Sequence, residues 1–273
     1  MRGDRGVRRR RSTLGILGGM GPLATADFYR RLVERTPAAG DQGHLPVVMW
    51  ADPGVPDRTA ALLGKGPSPV PALVEGARWL QRAGVSCIAV PCNTAHAYVQ
   101  QLSRATGVEI LDMIEAALRT AVERAAGVER VGILSTQGTR LARLYERAGD
   151  RIGVEVTQVS GRVQREYVDG AIRAVKGGAG GELAEGWIAA AAEALKGQGA
   201  QVVIAACTEI PLVSRVAARV LPLVDSTEAL VDAALSRLSG PEPEDFVPGY
   251  GDGRLSSSAR TNLAGCEGPN LRR

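Results

Sequence analysis

The chain has 273 residues, 45% of them apolar, only 4% aromatic, with 34 glycines; this suits one large or two modest helix-covered α/β domains and argues against an all-β fold. The net charge of +4 misleads about partners, because residues 1–11 hold six Arg against one Asp, a local +5 that leaves the body near −1. No basic stripe carries interleaved aromatics, so neither a nucleic acid nor a membrane is an expected partner, and four cysteines without a C-x-x-C pair, beside only His44 and His96, argue against a structural metal site and a disulfide framework and for reduced thiols in a cytoplasm.

The arginine-rich start followed by Leu14 to Ala26 has the outline of an export signal. Its four glycines and one proline suit a strand, a loop and a helix start better. A first βα unit is therefore expected behind a basic tail of residues 1–12. The strand covers Gly15 to Leu17 and the helix Ala24 to Arg35. Val47 to Trp50 reads as a second strand. Pro71 to Ala83 reads as a helix with Leu73, Ala77 and Leu80 on one face. Gly84 ends it, and Cys87 to Val90 follows as a buried strand, with Cys87 a core residue. Asp112, three residues before Glu115, marks a capping-box-like helix start. Later, Glu185 to Lys196 reads as a helix and Val202 to Ala205 as a strand. Asp225, three before Glu228, marks another helix start. Residues 239–273 are rich in Gly, Pro, Ser and Asn and lack periodicity; they read as a flexible tail carrying Cys266 as an incidental thiol.

The chain contains itself twice. Leu14-Gly-Ile-Leu17 matches Val131-Gly-Ile-Leu134 at an offset of 117. Leu80, Gly84 and Cys92 match Leu195, Gly199 and Cys207 at 115, and Ile110 to Glu115 matches Leu223 to Glu228 at 113. Three matches in one order at nearly one spacing mean two similar halves. Alternating strands and helices in each predict parallel sheets.

In open parallel sheets, ligands bind at the carboxyl ends of strands. Cys92 and Cys207 each stand there, followed by polar residues opening a helix. Backbone N–H groups at such a helix start are expected to lower a thiol pKa and attract carboxylates. Asn93-Thr94 and Thr208-Glu209 occupy places where a core cysteine would have apolar neighbours. Two thiols facing across a cleft suit inversion of a carbon acid: one removes the proton and the other returns one to the opposite face. A lone cysteine would suggest acyl transfer instead. Gly18-Gly-Met-Gly21 lacks dinucleotide spacing and a P-loop Lys, so it is not a nucleotide loop. His96, one helical turn beyond Cys92, reads equally well as tuning the thiol or as packing.

Gly15-Ile-Leu-Gly-Gly-Met-Gly-Pro-Leu-Ala-Thr25, Pro56-Asp-Arg-Thr59, Pro91-Cys-Asn-Thr-Ala-His96 and Cys207-Thr-Glu-Ile-Pro-Leu212 together resemble the aspartate/glutamate racemase superfamily. The resemblance spans about residues 14–235. His96 and Glu209 stand where glutamate racemases typically carry Ser and His, and so point to the aspartate branch. At Gly43 the chain departs from the acidic residue frequent in the family. The resemblance implies an amino-acid racemase interconverting L- and D-aspartate, independent of pyridoxal phosphate and of metal, and a homodimer. It implies Cys92 and Cys207 as the acid/base pair. Asn93, Thr94 and Thr208 would bind the α-carboxylate, and Arg58 and Lys176 the side-chain carboxylate. Met20 and Thr136 are expected to line the pocket.

The expected architecture is thus two pseudo-symmetric parallel-sheet α/β domains with the active site in the cleft between them. The first comprises residues 13–112 plus 225–238, completed by the helix after Asp225, and the second residues 113–224. Glutamate or another amino acid on the same machinery, a one-cysteine decarboxylase or isomerase, and a non-catalytic binding homologue are the competing readings.

Overall fold

Short apolar runs bounded by turn residues form the inner strands, which are buried on both faces because helices cover both sides. The computed structural model describes residues 12–125 and 127–239. Residues 1–11 and 240–273, with Cys266, lie outside the described residues. The first half runs β1 (Leu14–Gly18), α1 (Pro22–Arg35), β2 (Val47–Ala51), α2 (Arg58–Leu62), α3 (Val70–Arg82), β3 (Cys87–Ala89), α4 (Val99–Thr106), β4 (Glu109–Ile110) and α5 (Met113–Arg124). The second runs β5 (Arg130–Ser135), α6 (Gln137–Leu141), α7 (Leu144–Ile152), β6 (Glu155–Gln158), α8 (Gly161–Val163), α9 (Asp169–Lys176), α10 (Glu182–Gly197), β7 (Val202–Ala206), β8 (Leu223–Asp225) and α11 (Ser226–Ser239). Among the described residues no helix is long and apolar enough to cross a membrane.

Two four-stranded sheets result, in the orders β2-β1-β3-β4 and β6-β5-β7-β8, with every pairing parallel. The same order in both sheets is the structural form of the internal repeat, and the α/β class with two parallel sheets is as the sequence predicts. Pleating splits each inner strand between two cores. Ile16, Cys87 and Ala89 pack with α1 and α11 on one face, through Phe28, Leu32, Leu230, Val231 and Ala234. Leu17 and Ile88 pack on the other, with Leu73, Ala77 and Leu80 of α3. Each fully buried Leu of that stripe contributes about 1.5–3 kcal/mol relative to exposure. Gly84 and Gly199 hold the same turn in the two halves, at φ 75° and 85°. That left-handed backbone ends each helix and feeds the next strand without a Cβ penalty.

The last helix belongs to the first sheet's packing although it follows the second sheet in sequence. Arg31 of α1 donates to Asp225 at 2.7 Å, and Arg35 to Asp232 at 2.6 Å. Burial pushes the Asp225 carboxyl above its usual range, with Arg31 pulling the other way. The helix starts at Asp112 and Asp225 are real, but neither is a full capping box. The Asp112 carboxylate accepts from the Ile114 and Glu115 N–H groups at 2.9 and 3.1 Å, while Glu115 turns outward to Arg119.

Two short helices bring the halves together. At Gly138 of α6 an added Cβ would stand 2.7 Å from Thr59 Oγ1, 2.8 Å from Thr94 Cγ2 and 3.0 Å from Thr59 Cα. The last is backbone and yields little. Gly138→Ala should therefore destabilise by about 1–3 kcal/mol, a Tm drop of roughly 2–10 °C for a chain of this size. An unchanged Tm in differential scanning calorimetry would show that α2 and α6 separate freely.

Candidate active site

The inner strands of both sheets end at one place. β1 leads to Met20, β3 to Cys92, β5 to Thr136 and β7 to Cys207, and all four line a single cavity. Arg58, Asn93, Thr94, Lys176 and Thr208 complete the nine residues singled out in the sequence, and every one of them lines it. Asp57, Thr59 and Glu209 line it too. The cavity is confined, with room for about one water. Among the described residues no group of three or more His, Cys, Asp or Glu could hold a metal ion.

The two thiols are not equivalent. Cys92 lies three residues past β3 in a tight turn, its N–H bonded to the Val90 carbonyl at 2.7 Å. Cys207 follows β7 directly, and its Sγ–H donates to Glu209 Oε2 at 2.9 Å. Both side chains are buried. Each is followed by a 3₁₀ helix, Thr94–Tyr98 or Ile210–Val213, not by the α-helix start that the sequence suggests. The expected lowering of the thiol pKa fails at Cys207. Burial first, and then the Glu209 charge, push that thiol well above its ordinary value, and Lys176 only partly opposes them. Cys87, the mid-strand cysteine, is pushed up to about 12 by burial and by Glu109; it is an inert core thiol, as its position predicts.

Glu209, like Asp57 and Thr59, is a cavity residue that sequence reasoning left out of the site. It is buried (6% exposed), and its Oε1 lies 3.9 Å from Lys176 Nζ. The available signal was a carboxylate placed directly before the apolar run Ile210-Pro-Leu-Val213. Lys176 ends α9, its side chain 41% exposed, so it is neither free in solvent nor sealed. Burial acts to lower its pKa, but Glu209, Cys207 and Cys92 outweigh burial and raise it.

Arg58, the first residue of α2, is buried at 8% exposure. Nη1 donates to the Val55 and Pro56 carbonyls, each at 3.2 Å, and Nη2 to the Met20 carbonyl at 3.0 Å. Nε has no partner, and among the described residues no carboxylate pairs with this guanidinium. A buried, unpaired positive charge on a cavity wall is costly unless an anion joins it. The surface ion pair that is the ordinary fate of such an arginine is not found here.

Hydroxyls and one amide make the rest of the wall. Thr94 Oγ1 lies 2.8 Å from Thr136 Oγ1 and 3.1 Å from Thr139 Oγ1. Tyr145, from α7 of the second half, donates to Asn93 Oδ1 at 2.6 Å, and Asn93 Nδ2 donates to Ser226 Oγ at 3.0 Å. The Ser226 hydroxyl in turn donates to the Ala205 carbonyl at 2.7 Å. These bonds fix the Asn93 amide and leave its second N–H uncommitted by them. Burial and then Asp112 raise the Tyr145 phenol well above its usual value, so it stays a donor.

The Cys207–Glu209 bond makes a checkable statement. Glu209→Gln removes the charge that holds the thiol proton, so the Cys207 pKa should fall. Peptide-mapped labelling of Cys207 with a small alkylating reagent at neutral pH should speed up, about tenfold for each unit of fall. Labelling that stays the same or slows would contradict the assignment of Glu209 as the group that raises this thiol.

Comparison with known proteins places the geometry in a wider setting. The sequence model of the family described as Asp/Glu/Hydantoin racemase matches residues 17–234. The chain is 26% identical over 229 residues to the broad specificity amino-acid racemase RacX of Bacillus subtilis (strain 168), covering 82% of this chain and 96% of that protein. It is 29% identical over 182 residues to the glutamate racemase of Aquifex aeolicus (strain VF5), covering 66% of each. It superposes on the aspartate racemase of Picrophilus torridus with a TM-score of 0.70 at 27% identity, covering 84% of this chain and 94% of that one.

Proposed function

From a chain that belongs to the Asp/Glu/hydantoin racemase family, and whose reaction class is accordingly that of an isomerase acting on amino acids, we propose an enzyme that interconverts L- and D-aspartate with Cys92 and Cys207 as its two acid/base groups. The observation that carries the substrate reading is Arg58. Its buried guanidinium lacks an acidic partner and offers a fork suited to a second carboxylate. Lys176, with its raised pKa, remains a cation beside it. The similarity to a broad specificity racemase along nearly its whole length supports a wider amino-acid range as the second reading.

The Cys92 thiolate takes the α-proton of one enantiomer, and the C–H pair of electrons passes into the α-carboxylate as an enediolate. Cys207 gives its thiol proton to the opposite face, which leaves Cys207 as thiolate and Cys92 as thiol. The other enantiomer runs the same steps in reverse. The developing charge on the carboxylate meets donors on the wall, the Thr94 hydroxyl and the second N–H of Asn93; the Thr208 hydroxyl, which donates to Glu209 Oε2 at 3.4 Å at rest, joins them on turning to the substrate. Glu209 keeps the Cys207 proton in place at rest, and Lys176 steadies the thiolate once that proton has left.

The test compares substrates on one variant. Removing one partner of a buried charged pair costs roughly 2–5 kcal/mol, so Arg58→Ala should lower kcat/KM for aspartate by roughly 30-fold to several thousandfold. Racemisation of alanine, followed by α-deuterium incorporation in deuterated water, should change little. Equal losses on both substrates would remove Arg58 as the reader of the side-chain carboxylate.

A further inference from the structure

The proposed chemistry leaves His96 unused, although it is buried (5% exposed) directly behind Cys92. Its ring fills the gap between two main-chain groups. Nδ1 lies 2.9 Å from the Cys92 carbonyl oxygen, and the Met113 N–H donates to Nε2 at 3.1 Å. A main-chain N–H only donates, so Nε2 is the acceptor. The proton is therefore on Nδ1, and Nδ1–H donates to the Cys92 carbonyl. In this tautomer the Leu111 carbonyl, 3.4 Å from Nε2, receives no proton from the ring. The main-chain N–H of His96 bonds the Asn93 carbonyl at 3.0 Å. One residue thus holds two consecutive carbonyls of the turn that carries Cys92.

What lies on the far side of the ring gives this its meaning. Met113 is the first residue of α5, whose N-terminus is capped by Asp112. Ile114, Ala117, Leu118 and Ala121 of that helix pack in one core with Val202, Ile204 and Ala206 of β7. β7 is the strand that runs into Cys207. The imidazole is a rigid spacer, with a donor on one edge and an acceptor on the other, between the Cys92 turn and the helix packed on the Cys207 strand. We propose that His96 is a positioning residue that sets where Cys92 stands relative to Cys207. The inference rests on the two-thiol reading. It assigns His96 no contact with substrate and no proton transfer.

Two substitutions separate positioning from packing. His96→Leu keeps apolar volume and loses the donor; His96→Asn is smaller but keeps an N–H able to reach the Cys92 carbonyl. A misplacement of about 1 Å can cost on the order of 100-fold in rate, so His96→Leu should lose about 10- to 100-fold in kcat on aspartate with KM little changed. His96→Asn should retain several-fold more kcat than His96→Leu. In His96→Leu the α-deuterium isotope effect should grow for the enantiomer whose proton Cys92 removes and not for the other. Leucine performing as well as or better than asparagine, with equal isotope effects for the two enantiomers, would overturn the proposal. The wild-type protein gives a check that needs no variant: its imidazole ¹⁵N spectrum should show His96 as the Nδ1–H tautomer, and an Nε2–H tautomer overturns the proposal too. Cys92→Ala is measured alongside. If it is inactive while His96→Leu keeps full kcat, the inference about His96 alone fails; if Cys92→Ala is active, it is the two-thiol reading that fails.

Discussion

The Cys207 thiol donates its proton to the Glu209 carboxylate across 2.9 Å, in a cavity with room for about one water. A buried thiol beside a buried carboxylate keeps its proton, and the same carboxylate needs a cation close by to be tolerated there. Lys176 supplies it at 3.9 Å. This places a protonated thiol and a cation on the second-sheet side of the cavity. The other wall carries Cys92 and Arg58, neither of which has a carboxylate partner among the described residues. The asymmetry gives the proposed inversion its starting state: an acid held ready on one side and a base to be made on the other.

The fold produces this asymmetry from a symmetric plan. Two sheets of the same strand order place two cysteines at equivalent strand ends. The difference enters through neighbours the repeat does not share. Glu209 stands two residues after Cys207, and its counterpart after Cys92 is Thr94, whose hydroxyl turns to Thr136 and Thr139 instead. The halves are tied at the cavity wall by Tyr145, Asn93 and Ser226, and behind it by His96 and α5. Coupling of this kind matters because proton transfer to opposite faces of one carbon tolerates little change in the spacing of the two acid/base groups.

Strands β1, β2, β3 and β7, helices α1, α3 and α10, the repeat and the two cysteines were legible in the sequence because each is carried by local pattern, whereas β4, β5, β6 and β8 were not placed as strands. These strands read as apolar runs, Gly84 as a helix end, and Gly199 and the duplicated cysteines by their shared offset. Partners distant in sequence were not legible. Nothing near Tyr145 announces that its hydroxyl ends on Asn93, 52 residues away, or that Ser226 closes the other side of that amide. The thiol pKa was misjudged for a related reason. Strand-end placement suggests a helix dipole that lowers it, but the segment after Cys207 is a single 3₁₀ turn, and burial with Glu209 decides the sign. The π-helical turn Gln164–Val168 ahead of α9 left no pattern either. Its Gln164 amide donates to the Ser135 carbonyl and to Asp169, both at 2.8 Å, and so ties the helix that carries Lys176 to the end of β5.

In the proposed reaction each thiol serves one face of the α-carbon, and isotope exchange in single-cysteine variants tests this directly. L- and D-aspartate are incubated separately with Cys92→Ser and with Cys207→Ser in deuterated water, and α-deuterium incorporation is followed next to inversion. Each variant should lose racemisation by at least about 10²-fold, as expected for removal of a general acid/base group. Each should still exchange the α-proton of one enantiomer only, and the two variants should choose opposite enantiomers. Near-full racemisation by either variant, or the same enantiomer exchanged by both, would contradict a reaction divided between Cys92 and Cys207.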